Sequence, residues 1–440
     1  MRAALFTLGC KLNQYETFYI KERLSERGFE IVPPDEKADL YIVNSCAVTK
    51  KSDYHSRQAV RKFVRRNPDA LVIVTGCSVE INPESFRKIA GVDFILGNSQ
   101  KYNITGFLGE AGKERAKREE PCVCIKSDGD PKISMFINNF HEYTRAFIKV
   151  QEGCNAACSY CIVPQARGKC RSIPAPEVID QTVTLIANGY KEIVLTGTHL
   201  GQYGQDLSDN ITLSDLLSDI IQLPGLGRVR LSSIEPQEFT PFLIDILNHS
   251  RKICTHLHIP LQSGDDAILK QMGRDYSTHY YEELINKLAL HTSCAIGADV
   301  IVGFPAESDE SFERTYNFID NLPLAYLHVF SYSPRPNTKA CSMNNQVPGE
   351  VKRRRSKKLR ALSVKKKNEF WSRFLMKDLI ALVLHKDGYE RGSKIALTDN
   401  YIPVSLQYPG IEALLNHFVR VKIISFNGDE VKGEILEIMD

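Results

Sequence analysis

The chain has 440 residues, enough for about three domains at ~150 residues each. Hydrophobic residues make up 43% and charged residues 25%, which excludes disordered, collagen-like and purely heptad chains. The 56 basic and 53 acidic residues leave a formal charge of +3, and no uncharged apolar run approaches the ~18 residues of a membrane span, so no transmembrane helix is expected.

The opening MRAALFTLGCKLNQ turns polar after eight residues and lacks a small-residue cleavage site. It does not read as a secretory signal, and a cytoplasmic location is expected. In that setting 12 cysteines are too sparse and too reduced for a disulfide scaffold, so the question is which of them converge on a metal.

The first hundred residues repeat one device: an apolar run, a tight turn ending in cysteine, then a helical pattern. The runs are 3–8 before Gly9-Cys10, 40–43 before Asn44-Ser45-Cys46, and 71–74 before Thr75-Gly76-Cys77. Helix-like stretches follow at 15–27, 52–66 and 83–90. Short β-rich runs alternating with helices predict a small doubly wound α/β domain with a parallel sheet. Ligands gather beyond the carboxyl ends of such strands, so Cys10, Cys46 and Cys77 can meet on one edge. Three thiolates with an open fourth position suit an iron-sulfur cluster that also holds an exogenous ligand. The alternatives are three small buried side chains or a zinc site, though no C-x2-C pair accompanies these cysteines.

Residues 101–140 read as a linker, with the charged stretch AGKERAKREEP in it. Cys122 and Cys124 are taken to face opposite sides of a strand and to be structural, as are Cys170, Cys254, Cys294 and Cys341.

Near residue 150 the chain reads FIKVQEGCNAACSYCIVPQARG, a C-x3-C-x2-C spacing of Cys154, Cys158 and Cys161 after an apolar strand at 146–150. Three thiolates within eight residues can wrap three corners of a cubane and leave one iron free to chelate the amino and carboxylate groups of S-adenosylmethionine. A zinc knuckle would need a fourth ligand, for which Cys170 is the nearby candidate. Strands at 192–196, 229–233, 257–260, 298–302 and 326–332 then alternate with helical patterns at 176–187, 213–223, 239–248, 280–291 and 310–322. Six βα-type strands fall short of the eight of a closed barrel, so an open barrel is expected, with a mouth wide enough for a macromolecular substrate.

With both cysteine sets in view, the sequence resembles the radical S-adenosylmethionine methylthiotransferases over nearly its whole length. The opening TLGCKLNQYET is similar to the group acting on threonylcarbamoyladenosine in tRNA, through Lys11, Asn13, Gln14, Tyr15 and Glu16. Groups acting on isopentenyladenosine or on a ribosomal-protein aspartate usually differ after the first cysteine. The resemblance implies two [4Fe-4S] clusters and S-adenosylmethionine. The cluster on Cys154, Cys158 and Cys161 would cleave the cofactor to a 5′-deoxyadenosyl radical that removes hydrogen from C2 of the adenine. The cluster on Cys10, Cys46 and Cys77 would deliver the methylated sulfur. An aromatic C–H with no acidic proton is out of reach of a general base, which is the reason for a radical. It further implies cofactor contacts at Tyr160, at Gly197 and Thr198 in VLTGTHLG, at Glu235 in LSSIEP, at Gln262 and Ser263 in HIPLQSGDD, and at Gly303 and Phe304 in DVIVGFPAES. The second-strand motif lacks the acidic residue of the common GGE form, so backbone carbonyls would hold the methionine amino group. The partners implied are the tRNA anticodon stem-loop and a flavodoxin- or ferredoxin-like electron donor, with no membrane and no DNA. The alternatives are the same chemistry on the other two substrates, or a non-catalytic RNA-binding module with structural zinc.

Residues 351–377 hold 12 Lys or Arg against one acid, Glu369, so the remainder of the chain is acidic. Leu359, Leu362, Phe370 and Phe374 form one helical stripe and leave the basic residues outside, which predicts binding to a phosphate backbone. A second basic helix, at 50–66, carries seven Lys or Arg and one acid beside the first cysteine set. Five short strands follow, at 379–385, 394–397, 402–406, 419–424 and 430–437, the pattern of a small antiparallel β-barrel that resembles the TRAM domain of tRNA-modifying enzymes. The expected division is 1–100, 101–140, 141–350, a basic connector 351–372 and 373–440.

Overall fold

The computed structural model describes residues 1–108, 120–125, 134–140, 143–290 and 293–439; the charged linker stretch 111–119 lies outside them. The chain opens with β1 (Arg2–Thr7), α1 (Lys11–Glu26), β2 (Glu30–Val32), β3 (Leu40–Ser45), α2 (Lys50–Arg66), β4 (Leu71–Gly76), α3 (Cys77–Ile81), α4 (Glu84–Arg87), β5 (Phe94–Leu96) and β6 (Cys122–Cys124). These strands form one sheet in the order β2-β1-β3-β4-β5-β6, parallel throughout. Runs such as Tyr41-Ile42-Val43 suit strands covered on both faces. Tyr41 and Val43 pack with Phe63 of α2 on one face, and Leu40 and Ile42 with Ile20 and Leu24 of α1 on the other. β1 and β3 are therefore neighbours whose following helices leave on opposite sides, which is the switch point where such sheets bind ligands.

The edge strand β6 comes from the stretch read as a linker. Cys122 and Cys124 pack against the same cluster while Val123 points outward, as residues two apart on a strand must. The expectation that they face opposite sides is thus corrected.

The second unit comprises β7 (Arg145–Lys149), β8 (Gln151–Glu152), α5 (Val163–Arg167), β9 (Arg171–Ser172), α6 (Ala175–Ala187), β10 (Glu192–Thr196), α7 (Leu213–Gln222), β11 (Arg228–Leu231), α8 (Pro241–His249), β12 (His256–His258), α9 (Asp266–Met272), α10 (Thr278–Ala289), β13 (Ala295–Val302), α11 (Asp309–Asn321) and β14 (Tyr326–Ser331). Two three-stranded parallel sheets, β7-β10-β11 and β12-β13-β14, are joined by a bridge from Val229 to Ile253 and by the Ile234 N–H donating to the His258 carbonyl at 3.1 Å. The result is the expected six-stranded open barrel, unclosed between β7 and β14. Ile148, Ile193, Leu195, Val229, Leu257 and Val300 fill the layer between strands and outer helices. Thr212, Thr240, Ser277 and Ser308 cap four of those helices through their hydroxyls.

A long helix, α12 (Gly349–Ser372), buries Leu359 and Leu362 against the barrel and Phe370 and Trp371 in the tail. The tail strands β15 (Asp378–Asp387), β16 (Lys394–Thr398), β17 (Pro403–Leu406), β18 (Phe418–Asn427) and β19 (Glu430–Met439) close a barrel in the order β15-β16-β17-β19-β18. Four of its seams are antiparallel and the β17–β19 seam is parallel. No helix among the described residues is long and apolar enough to cross a membrane.

Candidate active site

Cys10 caps α1 just beyond β1, Cys46 follows β3, and Cys77 opens α3 directly after β4, so three adjacent strand ends each present one thiol. Gly9 and Gly76 precede two of them at φ +112° and +100°. A Cβ on Gly76 would lie 2.4 Å from the Ser45 carbonyl, so the turn that aims Cys77 requires glycine. Burial pushes the Cys46 thiol up to about 11 and raises Cys77 as well, so metal binding must displace protons from both.

The second trio lies on the loop after β7 and β8. The Ser159 N–H donates to the Met272 carbonyl at 2.9 Å, and the Ala340 N–H donates to the Ser159 carbonyl at 2.8 Å, pinning the loop at two points. Cys154 Sγ is 3.1 Å from His199 Nδ1, and His199 Nε2 is 2.6 Å from a Glu238 carboxylate oxygen. The Arg274 guanidinium donates to Cys158 Sγ at 3.4 Å and also to Glu235. Burial lifts Cys161 to about 12. Among the described residues neither trio brings its three sulfur atoms within 4.8 Å of one another. Cys170 is engaged elsewhere, accepting from the Gln151 amide at 3.3 Å.

The remaining expected contacts ring the carboxyl ends of the barrel strands. Thr198 and Ser232, after β10 and β11, hold buried hydroxyl oxygens with no partner among the described residues, polar atoms suited to a ligand at the barrel mouth. Gly197 packs against Gln151, whose amide oxygen accepts from the His199 N–H at 2.9 Å. Burial raises the Glu235 carboxyl against the opposing pull of Arg274. Gln262 adopts φ +64°, while the Ser263 hydroxyl is within 3.3 Å of Thr315 Oγ1 and accepts from the Asp265 N–H. Gly303 donates its N–H to Glu307 at 2.7 Å. Phe304 is fully buried, edge-on to Tyr160 and Tyr332.

Arg167 at the end of α5 ties the two trios together. It donates to Glu16 at 2.7 Å, to Asn13 at 2.6 Å and to Glu152 at 3.0 Å, all buried. Lys101 pairs with Glu16, and Lys149 with Glu152 at 3.1 Å. Cys77 packs with Ile162 and Ala166 of the segment leaving the second trio. His199, Glu238, Arg274 and the Arg167, Glu152, Lys101 and Lys149 members of this network escaped the sequence reading, which named Asn13 and Glu16 only in the opening motif. Their one signal was position, since His199 adjoins Thr198 and Arg167 closes the segment that follows Cys161.

Below the mouth the barrel lumen is charged. Glu192 receives Arg228 at 2.7 Å, Arg230 at 2.8 Å and Arg145 at 3.5 Å. Asp299 lies 2.8 Å from His258 Nε2 and 3.3 Å from His328 Nδ1. The tail seals the floor: Arg228 donates to the Leu397 carbonyl at 2.7 Å, Arg230 to the Asp399 carbonyl at 2.9 Å, and Tyr401 stacks on His256 at 4.2 Å. Lys11, the first residue of α1, is pushed down to about 8 by burial, with Arg145 and Arg230 adding to the shift.

Four of the ten basic residues of α12 pair with acids on α11, and Arg355 also with Glu307 just before it. Arg355 pairs with Asp309 at 2.8 Å and with Glu307, Lys358 with Glu313 at 2.6 Å, and Lys365 with Asp320 at 2.7 Å. Arg353, Lys357 and Arg360 stay exposed without an ion pair among the described residues, as do Lys51, Arg61 and Lys62 on α2.

Residues 2–97 match the family described as Uncharacterized protein family UPF0004, and residues 148–319 match the Radical SAM superfamily. The threonylcarbamoyladenosine tRNA methylthiotransferase MtaB of Aquifex aeolicus is 39% identical over 92% of this chain and 96% of its own length, and that of Bacillus subtilis 38% over 99% and 97%. A tRNA-2-methylthio-N6-dimethylallyladenosine synthase of Natranaerobius thermophilus is 30% identical over 98% and 96%. In fold, the radical S-adenosylmethionine methyltransferase TsrM of Kitasatospora setae is similar over 77% of each chain, with a TM-score of 0.58 at 16% identity. With two cysteine trios on two parallel sheets and this breadth of identity, the chain belongs to the radical S-adenosylmethionine tRNA methylthiotransferases, two-cluster [4Fe-4S] enzymes that use S-adenosylmethionine.

Proposed function

We propose that this chain converts the C2–H of N6-threonylcarbamoyladenosine at position 37 of tRNA into a methylthio group. The observation that carries the reading is the join between the two cysteine trios: Cys77 packs directly on the segment that leaves Cys161, and Arg167 locks the two units through Glu16 and Glu152. A radical made at one trio and a sulfur held at the other need such a fixed separation.

Cys154, Cys158 and Cys161 hold one cluster and Cys10, Cys46 and Cys77 the other; bound there, they supply reductive cleavage of S-adenosylmethionine and the transferable sulfur. His199 and Arg274 donate toward the sulfurs of Cys154 and Cys158 and stabilise their thiolate form. Glu235, kept in place by Arg274, faces the mouth as an acceptor for ribose hydroxyls. Thr198 offers its unpartnered hydroxyl to the bound cofactor. Tyr160 and Phe304 pack the far wall, and Gly197, Gln262, Ser263 and Gly303 shape the strand-end turns that line it. Arg353, Lys357, Arg360 and the exposed basic residues of α2 take the phosphates of the anticodon stem-loop. The electron comes from a flavodoxin- or ferredoxin-like donor, and the work is done in the cytoplasm.

The test is anaerobic incubation of reconstituted protein with S-adenosylmethionine, reductant and tRNA bearing threonylcarbamoyladenosine, read by nucleoside mass spectrometry. A methylthio mass gain on that nucleoside, absent from tRNA lacking the modification, is the expected result. Release of 5′-deoxyadenosine with no gain on this tRNA, but gain on isopentenyladenosine tRNA, would move the chain to the other substrate.

A further inference from the structure

Barrel interiors of this kind are ordinarily filled by branched aliphatic side chains. On β12, β13 and β14 the inward positions instead carry His258, Asp299 and His328. Their alternates Leu257, Val300 and Leu327 pack in the layer toward the helices, so the period-2 pattern of each strand turns all three polar side chains to the lumen. The parallel register sets them side by side: Asp299 is the direct partner of His328, and His258 pairs with Gly297, two residues before Asp299 on the same face.

One ligand atom from each of the three lies within 4.8 Å of the others, and no cysteine among the described residues belongs to the group. His258 Nε2 at 2.8 Å and His328 Nδ1 at 3.3 Å converge on the same oxygen of Asp299. Four-coordinate zinc, with bonds of about 2.0–2.1 Å to nitrogen and oxygen, holds neighbouring ligand atoms about 3.3–3.4 Å apart, a spacing that side-chain rotation can complete on fixed strands. The outer hydrogen bond of a metal-binding imidazole is also in place. Gly297 lets the Tyr326 ring lie across the sheet, since a Cβ there would come within 2.2 Å of it. Tyr326 Oη thereby reaches His258 Nδ1 at 3.3 Å and His256 Nε2 at 2.8 Å. It can accept from His258 Nδ1–H and donate to His256, which leaves the Nε2 lone pair of His258 free for an ion. Two imidazoles that served only as donors to Asp299 would have no need of this relay.

An ion has a way in. His258 is buried, Asp299 is partly exposed and His328 is exposed, and β14 is the unclosed edge of the barrel. His328 also lines a cavity of about 460 Å³ together with Tyr326, Lys367, Trp371, Tyr389 and Tyr401. The lumen arginines Arg228 and Arg230 are committed to Glu192 and to carbonyls of the tail, which leaves Asp299 to the two imidazoles. We propose that His258, Asp299 and His328 bind one divalent transition-metal ion of the zinc class in the barrel lumen, separate from both iron-sulfur clusters. Two imidazoles and one carboxylate suit zinc, and three protein ligands leave its fourth position open to water or another oxygen ligand. The site stands whichever tRNA nucleoside the enzyme modifies.

The experiment loads anaerobic holoprotein, both clusters in place, with one equivalent of zinc sulfate and then desalts it. Zinc and iron are counted by elemental mass spectrometry, and the zinc environment is read by K-edge X-ray absorption. Wild type is expected to keep about one zinc per chain, with a first shell of nitrogen and oxygen at about 2.0–2.1 Å. His328→Ala and His328→Gln change a side chain that is 55% exposed, so iron and melting temperature should stay at the wild-type level. Both should retain no more than about a tenth of the zinc. Tyr326→Phe, which keeps the ring and loses the hydroxyl, should weaken zinc about 10- to 100-fold in competition with a chromophoric chelator. Wild type that loses its zinc on desalting overturns the proposal, as does equal retention in the His328 variants. A sulfur shell at about 2.3 Å, or zinc gained at the expense of iron, would put the ion in a cysteine trio and overturn it too.

Discussion

Replacing Arg167 by methionine keeps the length of the side chain and removes four hydrogen bonds: two to Glu16 at 2.7 and 3.2 Å, one to Glu152 at 3.0 Å and one to Asn13 at 2.6 Å. Breaking a buried ion pair by removing one partner costs about 3–5 kcal/mol. Here Lys101 and Lys149 still face the two carboxylates, which argues for the lower end, about 3 kcal/mol. Burial opposes ionisation of Glu16, yet Arg167 and Lys101 outweigh it and hold its carboxyl well below the usual range. A depressed carboxylate stabilises fully above its unfolded value of about 4.3 and loses that contribution as pH falls, so the deficit should be equal at about pH 6.5 and pH 8. The assay is urea unfolding of apo-protein by far-UV circular dichroism. The observable is the midpoint of the transition that separates the first sheet from the open barrel, because a chain of several units is not two-state. Glu16→Gln and the double variant complete the cycle, with an expected coupling of about 2 kcal/mol. Additivity within about 0.5 kcal/mol would show that the contact is geometric and carries no energy.

Cys46→Ser and Cys158→Ala should each halve the iron of the reconstituted protein from about eight to about four atoms per chain, measured with acid-labile sulfide. Iron unchanged in either variant would remove that cysteine from its cluster. Reversing Arg353, Lys357 and Arg360 to glutamate should weaken tRNA binding and flatten the log-affinity against log-salt slope by up to about three; an unchanged slope would make this face a solubility feature. Arg355→Glu, in contrast, should destabilise the chain, because that side chain is 4% exposed and paired with Glu307, and a melting temperature equal to wild type would contradict the pairing. Gly76→Ala should cost about 1–3 kcal/mol in backbone strain beyond its clash with Ser45, seen as lost soluble protein or lost iron from the first cysteine set.

The elements that announced themselves in the sequence were those with strong periodicity and a chemical full stop. The runs before Cys10, Cys46 and Cys77 are continuous and apolar, and each ends in a turn residue, so strand and strand end were read together. The triplet at Cys154, Cys158 and Cys161 has a spacing that few other chemistries use. The strands at Glu30–Val32, Phe94–Leu96 and Cys122–Cys124 were not legible, because three residues carry too little periodicity and owe their structure to neighbours already in the sheet. The partners of the cysteines were hidden for another reason. His199, Arg274 and Arg167 are polar residues in loops or at helix ends, and only the closing of the barrel brings Arg274 to Cys158, 116 positions away. The basic helix was legible as charge, but the acids that pair with four of its ten basic residues lie on α11, some 45 positions earlier.

The seal on the barrel floor sets an order on the ribosome. Arg228 and Arg230 find their carbonyl acceptors only at Leu397, Thr398 and Asp399, nearly 170 positions downstream. Translation at about 5–20 residues per second leaves these guanidinium groups with Glu192 but without their carbonyl acceptors for roughly ten seconds or more after they emerge. The Arg167 latch closes much sooner, since Asn13, Glu16 and Glu152 have all been made before it. The nascent enzyme therefore assembles its cluster face first and its floor last, and a ribosome stalled before Tyr401 would hold a barrel with its cluster ligands in place and its base still wet.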